Sequence, residues 1–216
     1  MSADSLRDSG LVRRLGAGTF NYGLGQALPQ VVRFLLLPVF TLFLTPTDYG
    51  ILDLAAALGS VLVLTMRLGV PRSVTRFYFD YREDADLRDY VTTVAWFLIG
   101  GSLAVGALCL VALPAVLEST VPGLPYAPYV VLVVIGAVLS ANYDLQLRLV
   151  QAREQARLAA RLNIGRAAIA ITLALVFVAA LRWGAAGMLL SEVVASGLFL
   201  VQAIVYLRPN LRKTFR

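Results

Sequence analysis

Arg33 stands deep within an apolar run covering residues 20–44, too far from either edge for its side chain to reach water easily. A charge at such depth in hydrocarbon costs about 2.5–3.5 kcal/mol on insertion scales. Tyr22, Gln26, Pro29 and Gln30 precede it at helical spacing. At about 100° per residue these four and Arg33 share a sector of roughly 100°, so one face of the helix is polar and looks at protein or water. Two readings follow: a buried ion pair that fixes helix packing, or an anion-binding group in a hydrated cavity. An intramembrane charge favours the second. Pro29 and Pro38 each free a backbone carbonyl and permit bending.

Other polar residues share this setting. Asp53, Ser60 and Arg67 are seven apart and lie on nearly one helical face. They are either interfacial or an extension of the polar lining around Arg33. Glu192 and Ser196 are four apart, and a carboxylate at that depth can carry a coupling proton or bind a cation; paired with Arg182, it would be structural instead. Asn142 and Gln146 share a face, Asp144 and Arg148 read as a local ion pair, and Asn163 and Arg166 read as interfacial. The candidate binding set is therefore Arg33, Gln26, Gln30, Asp53 and Arg67, with Glu192 as the candidate coupling group.

What is missing narrows the chemistry. The chain has no histidine and one cysteine, Cys109, which excludes an intrachain disulfide and a conventional His/Cys metal site. No metal, cofactor or covalent catalysis is expected, and the protein reads as a non-enzyme.

The elements that carry these residues are long apolar helices. The chain is 59% hydrophobic and 15% charged with a mean hydropathy of +0.77, whereas soluble domains run about 45–50% apolar and about 25% charged. Its solvent is lipid. Six runs are long enough to cross a bilayer: 20–44, 51–70, 90–117, 126–150, 162–181 and 185–207. Turns are expected at 45–50, 118–125 and 182–184, where Pro, Gly and Asp gather, and residues 151–157 read as a helical extension. Gly100, Gly101, Ser102, Gly106 and Gly184 to Gly187 suit close helix approach. The expected fold is an all-α bundle over residues 1–216, one six-helix lobe.

Charge sets its orientation. One side collects Arg7, Arg13, Arg14, Arg72, Arg76, Arg82, Arg88, Arg148, Arg153, Arg157, Arg161, Arg208, Arg212, Lys213 and Arg216, and the other holds Arg182 alone. By the positive-inside rule both termini are cytoplasmic and the spans even in number. No cleaved signal peptide is read at the N-terminus. The net charge of +6 is spread between apolar runs, so its partners are membrane lipids and not nucleic acid.

Residues 21–81 carry a family pattern: Leu36-Leu37-Pro38-Val39-Phe40, then Leu44-Thr45-Pro46-Thr47-Asp48-Tyr49-Gly50, Leu68-Gly69-Val70 and the basic-aromatic stretch Arg72 to Tyr78. The stretch resembles the N-terminal end of the polysaccharide or lipid-linked oligosaccharide flippases, in the multidrug/oligosaccharidyl-lipid/polysaccharide exporter superfamily. That resemblance implies transport of an undecaprenyl-pyrophosphate-linked oligosaccharide across the cytoplasmic membrane, between two lobes of which this chain resembles the first. It also implies self-association or a second lobe as partner. Arg33 suits the pyrophosphate because a guanidinium forks onto phosphate oxygens and does not deprotonate. Competing readings are a cation-coupled drug or small-molecule exporter of the same superfamily, a non-transporting scaffold for polysaccharide synthesis, and a membrane enzyme acting on prenyl phosphates, which the lack of histidine and of clustered carboxylates disfavours.

Overall fold

The computed structural model describes residue 23 and residues 27–67, 84–120, 126–153 and 155–207. All regular structure among them is helical. We number the helices α1 (Ala27–Thr41), α2 (Pro46–Arg67), α3 (Asp84–Thr120), α4 (Val131–Ala152), α5 (Ala156–Ala174) and α6 (Gly184–Leu207). A kinked segment, Tyr126–Val130, extended at Ala127 with φ of −101° and ψ of 137°, leads into α4, and a π-helical turn, Leu175–Ala180, widens the end of α5. Five of the six are long and apolar enough to cross a membrane, and α1 is shorter as described. Most of residues 20–26, where its apolar run begins, lie outside the described residues. The chain is a multi-pass, all-α membrane protein.

The hub is α4, which packs against α2, α3, α5 and α6. In its membrane-crossing stretch 44% of residues are buried, against 17–22% in the other four long spans. The outer helices turn large apolar side chains such as Phe34, Leu64 and Val111 away from the bundle, as a lipid-facing surface requires.

A short polar run in α4 ties the bundle together. Asn142 Nδ2 donates to Ser102 Oγ on α3 at 2.8 Å, and Gln146 Nε2 to Gln202 Oε1 on α6 at 3.3 Å. Asp144 pairs with Arg67 of α2 at 3.1 Å, and Tyr143 meets Phe199 of α6 edge to face at 6.0 Å. Successive helical residues point about 100° apart, so one run reaches three neighbours. The local Asp144–Arg148 pair expected from spacing gives way to the interhelical one, and Arg148 donates to Gln151 instead.

Two boundaries differ from the sequence reading. Residues 45–50 form no tight turn: α2 already begins at Pro46, and the chain reverses at residues 42–44. Proline suits the first helical position because its missing N–H is unneeded there. Thr45 then caps the helix: Asp48 N–H donates to Thr45 Oγ1 at 3.2 Å, while Thr45 N–H and its hydroxyl donate to Asp48 Oδ2 at 2.9 and 2.7 Å. This is a capping box with aspartate in the glutamate's place. The helical extension expected over 151–157 is broken at Arg153, whose φ of −79° and ψ of 7° end α4. Propensity is a weak prior beside packing: Leu158 and Leu162 of α5 fold back onto Leu147 and Val150 of α4. α5 therefore starts at Ala156, six residues before the expected span.

Asp48 also joins two helices. Its other oxygen, Oδ1, accepts the Ala185 N–H at the start of α6 at 3.0 Å. One carboxylate thus satisfies unpaired N–H groups at two helix N-termini and holds α2 and α6 parallel. Gly184 permits this, with φ of +54° and a position where a Cβ would lie 2.7 Å from Asp48 Oδ1. Among the other glycines, Gly106 lets α3 approach α4, since a Cβ there would sit 2.9 Å from Val138 Cγ2. Gly100 and Gly101, expected to do the same, face open space.

Asp48→Ala should lower stability by about 1–2 kcal/mol, the scale of a lost cap, and Asp48→Asn by less, read as thermal midpoints of the detergent-purified protein. Gly184→Ala should be at least as damaging, being strained in both φ and contact. Arg67→Leu should cost about 1–3 kcal/mol, the scale of a polar group left without its partner, by stranding Asp144, and Arg67→Leu/Asp144→Leu should recover most of that loss. A double variant as unstable as the single one would show that the pair contributes nothing specific.

Candidate functional site

A cavity of about 520 Å³ opens between α1, α2, α4, α5 and α6. Its wall is mainly apolar, contributed by residues such as Leu37, Phe40, Leu52 and Met188. The polar exceptions include Arg33, Asp53, Ser191 and Glu192. The cavity belongs to the Arg182 end of the bundle. Arg33 lies eight residues from Thr41, the end of α1, and Glu192 eight from Gly184, the start of α6. At 1.5 Å per residue both sit about 12 Å in from that end. Equal depth on neighbouring helices lets them meet.

They meet as an ion pair: the Arg33 guanidinium donates to Glu192 Oε1. The second carboxylate oxygen, Oε2, takes another arginine, Arg166 of α5, at 3.4 Å. Arg166 is itself held on two further sides. Its Nη1 donates to the buried Ser196 hydroxyl at 3.1 Å, and its guanidinium carbon lies 5.6 Å from the Tyr143 ring centroid. Two guanidiniums therefore share one carboxylate. The cluster has a formal surplus of one positive charge, and the side chain of Arg33, 53% exposed, is its most accessible member beside 38% for Glu192 and 30% for Arg166.

The expected site residues separate accordingly. Arg33, Asp53 and Glu192 line one cavity. Asp53 is exposed, lies at nearly the same depth as Arg33 and Glu192, and makes no ion pair among the described residues. Gln30 is exposed on α1 and is not part of the cavity wall, while Gln26 lies outside the described residues. Arg67 is the last residue of α2 and is bound to Asp144, roughly 20 Å further along the bundle than Glu192 by helical rise. It does not join the cavity. Glu192 is paired with Arg33 and Arg166, not with Arg182.

Arg166 is the participant that sequence reading placed elsewhere. A fifth span counted from residue 162 makes it interfacial; with α5 starting at Ala156 it lies ten residues, about 15 Å, inside. The signal was its spacing from Ala159 and Leu162, both buried, which puts it on the inward side of an earlier-starting helix.

No curated protein and no solved structure matches the chain. A family described as polysaccharide biosynthesis protein matches it over residues 15–216. That range contains every element of the site, and it agrees with the resemblance carried by residues 21–81. The chain belongs to the polysaccharide biosynthesis protein family, and its role lies in polysaccharide biosynthesis.

Proposed function

We propose that this protein is a flippase, or one lobe of a flippase, that moves an undecaprenyl-pyrophosphate-linked oligosaccharide across the cytoplasmic membrane. The observation that carries the reading is the half-exposed Arg33 in the wall of an apolar cavity, where two arginines share one carboxylate. An anion with an apolar tail matches both features. A guanidinium fork pairs with phosphate oxygens more strongly than with neutral acceptors, and the apolar wall accepts isoprenoid. Asp53, in the same wall, then accepts hydroxyls of the glycan. Such a protein moves its substrate without changing a covalent bond.

A second reading, export of a cationic amphiphile, rests on Asp53, the cavity carboxylate with no arginine partner among the described residues. The two readings make opposite demands. Arg33→Ala should abolish complementation of surface-polysaccharide synthesis while the protein is still made and inserted, and Asp53→Asn should reduce it only partly. A wild-type protein that fails to complement, yet confers resistance to a cationic amphiphile that Asp53→Asn abolishes and Arg33→Ala does not, would favour the exporter.

A second six-helix unit is also part of this proposal. A charged side chain 53% uncovered at about 12 Å depth is costly against lipid, so a second copy of the chain covers that face and completes the cavity. A Leu37→Cys substitution in a Cys109→Ser background should give disulfide-linked dimers in membranes on mild oxidation. A strictly monomeric protein, by this test and by native mass spectrometry, would remove alternating access between two copies.

A further inference from the structure

Glu192 divides its two oxygens between different helices. Oε1 takes Arg33 of α1, and Oε2 takes Arg166 of α5. Of the two guanidiniums, Arg33 borders the cavity, whereas Arg166 is not part of its wall and is fastened to Ser196 and Tyr143. A carboxylate held by one cation would be stranded if that cation left it, at a high cost in a poorly solvated interior. Glu192 has no such difficulty, because Oε2 keeps its partner when Oε1 is released.

We propose that Glu192 is a built-in counter-ion that a substrate diphosphate displaces from Arg33, and that Arg166 is the positioning residue which holds Glu192 during the exchange. This rests on the reading of Arg33 as the headgroup cation. With the cavity empty, the carboxylate occupies Arg33. When a diphosphate arrives, its oxygens take the Arg33 fork, and Glu192 stays on Arg166. The exchange conserves ion pairs, so binding need not create an unpaired charge at mid-bundle depth. It also sets a threshold: a weakly anionic lipid does not displace a carboxylate already in place, whereas a diphosphate, with more charge and more acceptor oxygens, does.

The exchange predicts an unusual sign. Replacing Glu192 should tighten anion binding, because the internal competitor is gone. Arg166→Gln should weaken it, because Glu192 then holds Arg33 alone and is stranded when the ligand arrives. In Arg166→Gln/Glu192→Gln the weakening should vanish, since there is no carboxylate left to position. An arginine that merely braces α5 would weaken binding in both backgrounds.

The test uses the full chain in phosphatidylcholine nanodiscs, titrated with farnesyl diphosphate and, separately, with inorganic pyrophosphate. Whichever probe binds identifies the source of the anion as lipid headgroup or free ion. Glu192→Gln should lower Kd about tenfold or more, within the usual range for coupling between contacting groups, and Arg33→Gln should abolish binding. Glu192→Ala, which likewise removes the competing carboxylate, should also tighten binding and serves if Glu192→Gln does not fold. Unchanged or weaker binding in the Glu192 variants, with Arg33→Gln still abolishing it, would overturn the exchange and leave the function of Arg33 intact. No binding of either probe by wild-type or Glu192 variants of native helicity would overturn both.

Discussion

The ionised side chains inside this bundle sit among apolar surfaces that solvate them poorly, and that constraint organises the structure around shared counter-ions. Leaving one of them unpaired there costs several kcal/mol, comparable with the whole stability of a domain. Arg33, Arg166 and Glu192 come from three helices, α1, α5 and α6, so satisfying the charges and assembling the bundle are one event. The same logic acts through α4, whose run from Asn142 to Gln146 gives polar partners to α2, α3 and α6. Since lipid is as apolar as leucine, apolar surface does little to select one helix arrangement over another. The polar contacts do that selecting, and they fix register as well as neighbour.

The two ionic clusters are built for different ends. Arg67 and Asp144 lie toward the arginine-rich end, outside the cavity that Arg33 lines, with the carboxylate largely covered. Their arrangement suits a fixed strut between α2 and α4. The Arg33 cluster borders a cavity, is partly open, and has one cation more than it has carboxylates. At the Arg182 end the Asp48 carboxylate binds the N-termini of α2 and α6 together. The cavity thus lies between a tied end and a braced end, and the least constrained charges are the ones that face it.

Much of this could be read from residue types. Helix number and class follow from apolar runs that match bilayer thickness, and Arg33 and Glu192 stand out because a charge amid apolar residues needs a reason. What failed was local chemistry where two explanations competed. Thr45 to Gly50 has the composition of a turn, yet Pro46 and Asp48 have equally specific roles in a helix's first turn, and spacing from Thr45 decides for the second. Arg166 was obscured by the helix boundary placed at residue 162. Pairing was the least legible feature: Asp144 had a partner four residues away on its own helix and took Arg67 instead. Sequence spacing ranks neighbours along one helix, but it carries no information about which helix lies opposite.

That last point bears on why the cluster beside the cavity has three charged groups from three helices instead of a single cation. One guanidinium facing an apolar cavity would need a permanent ligand or lipid headgroup to offset its desolvation, and the empty protein would be the unstable form. A guanidinium locked into a one-to-one pair would be stable when empty but would strand its carboxylate on binding. Two guanidiniums on one carboxylate avoid both costs, since every charge keeps a partner with the cavity empty, and again when an anion enters. The proposed exchange requires that the second arginine stay behind when the anion binds, and Arg166 has Ser196 and the Tyr143 ring to hold it. The polar anchor of the carboxylate is therefore as much a part of the site as the arginine that borders the cavity.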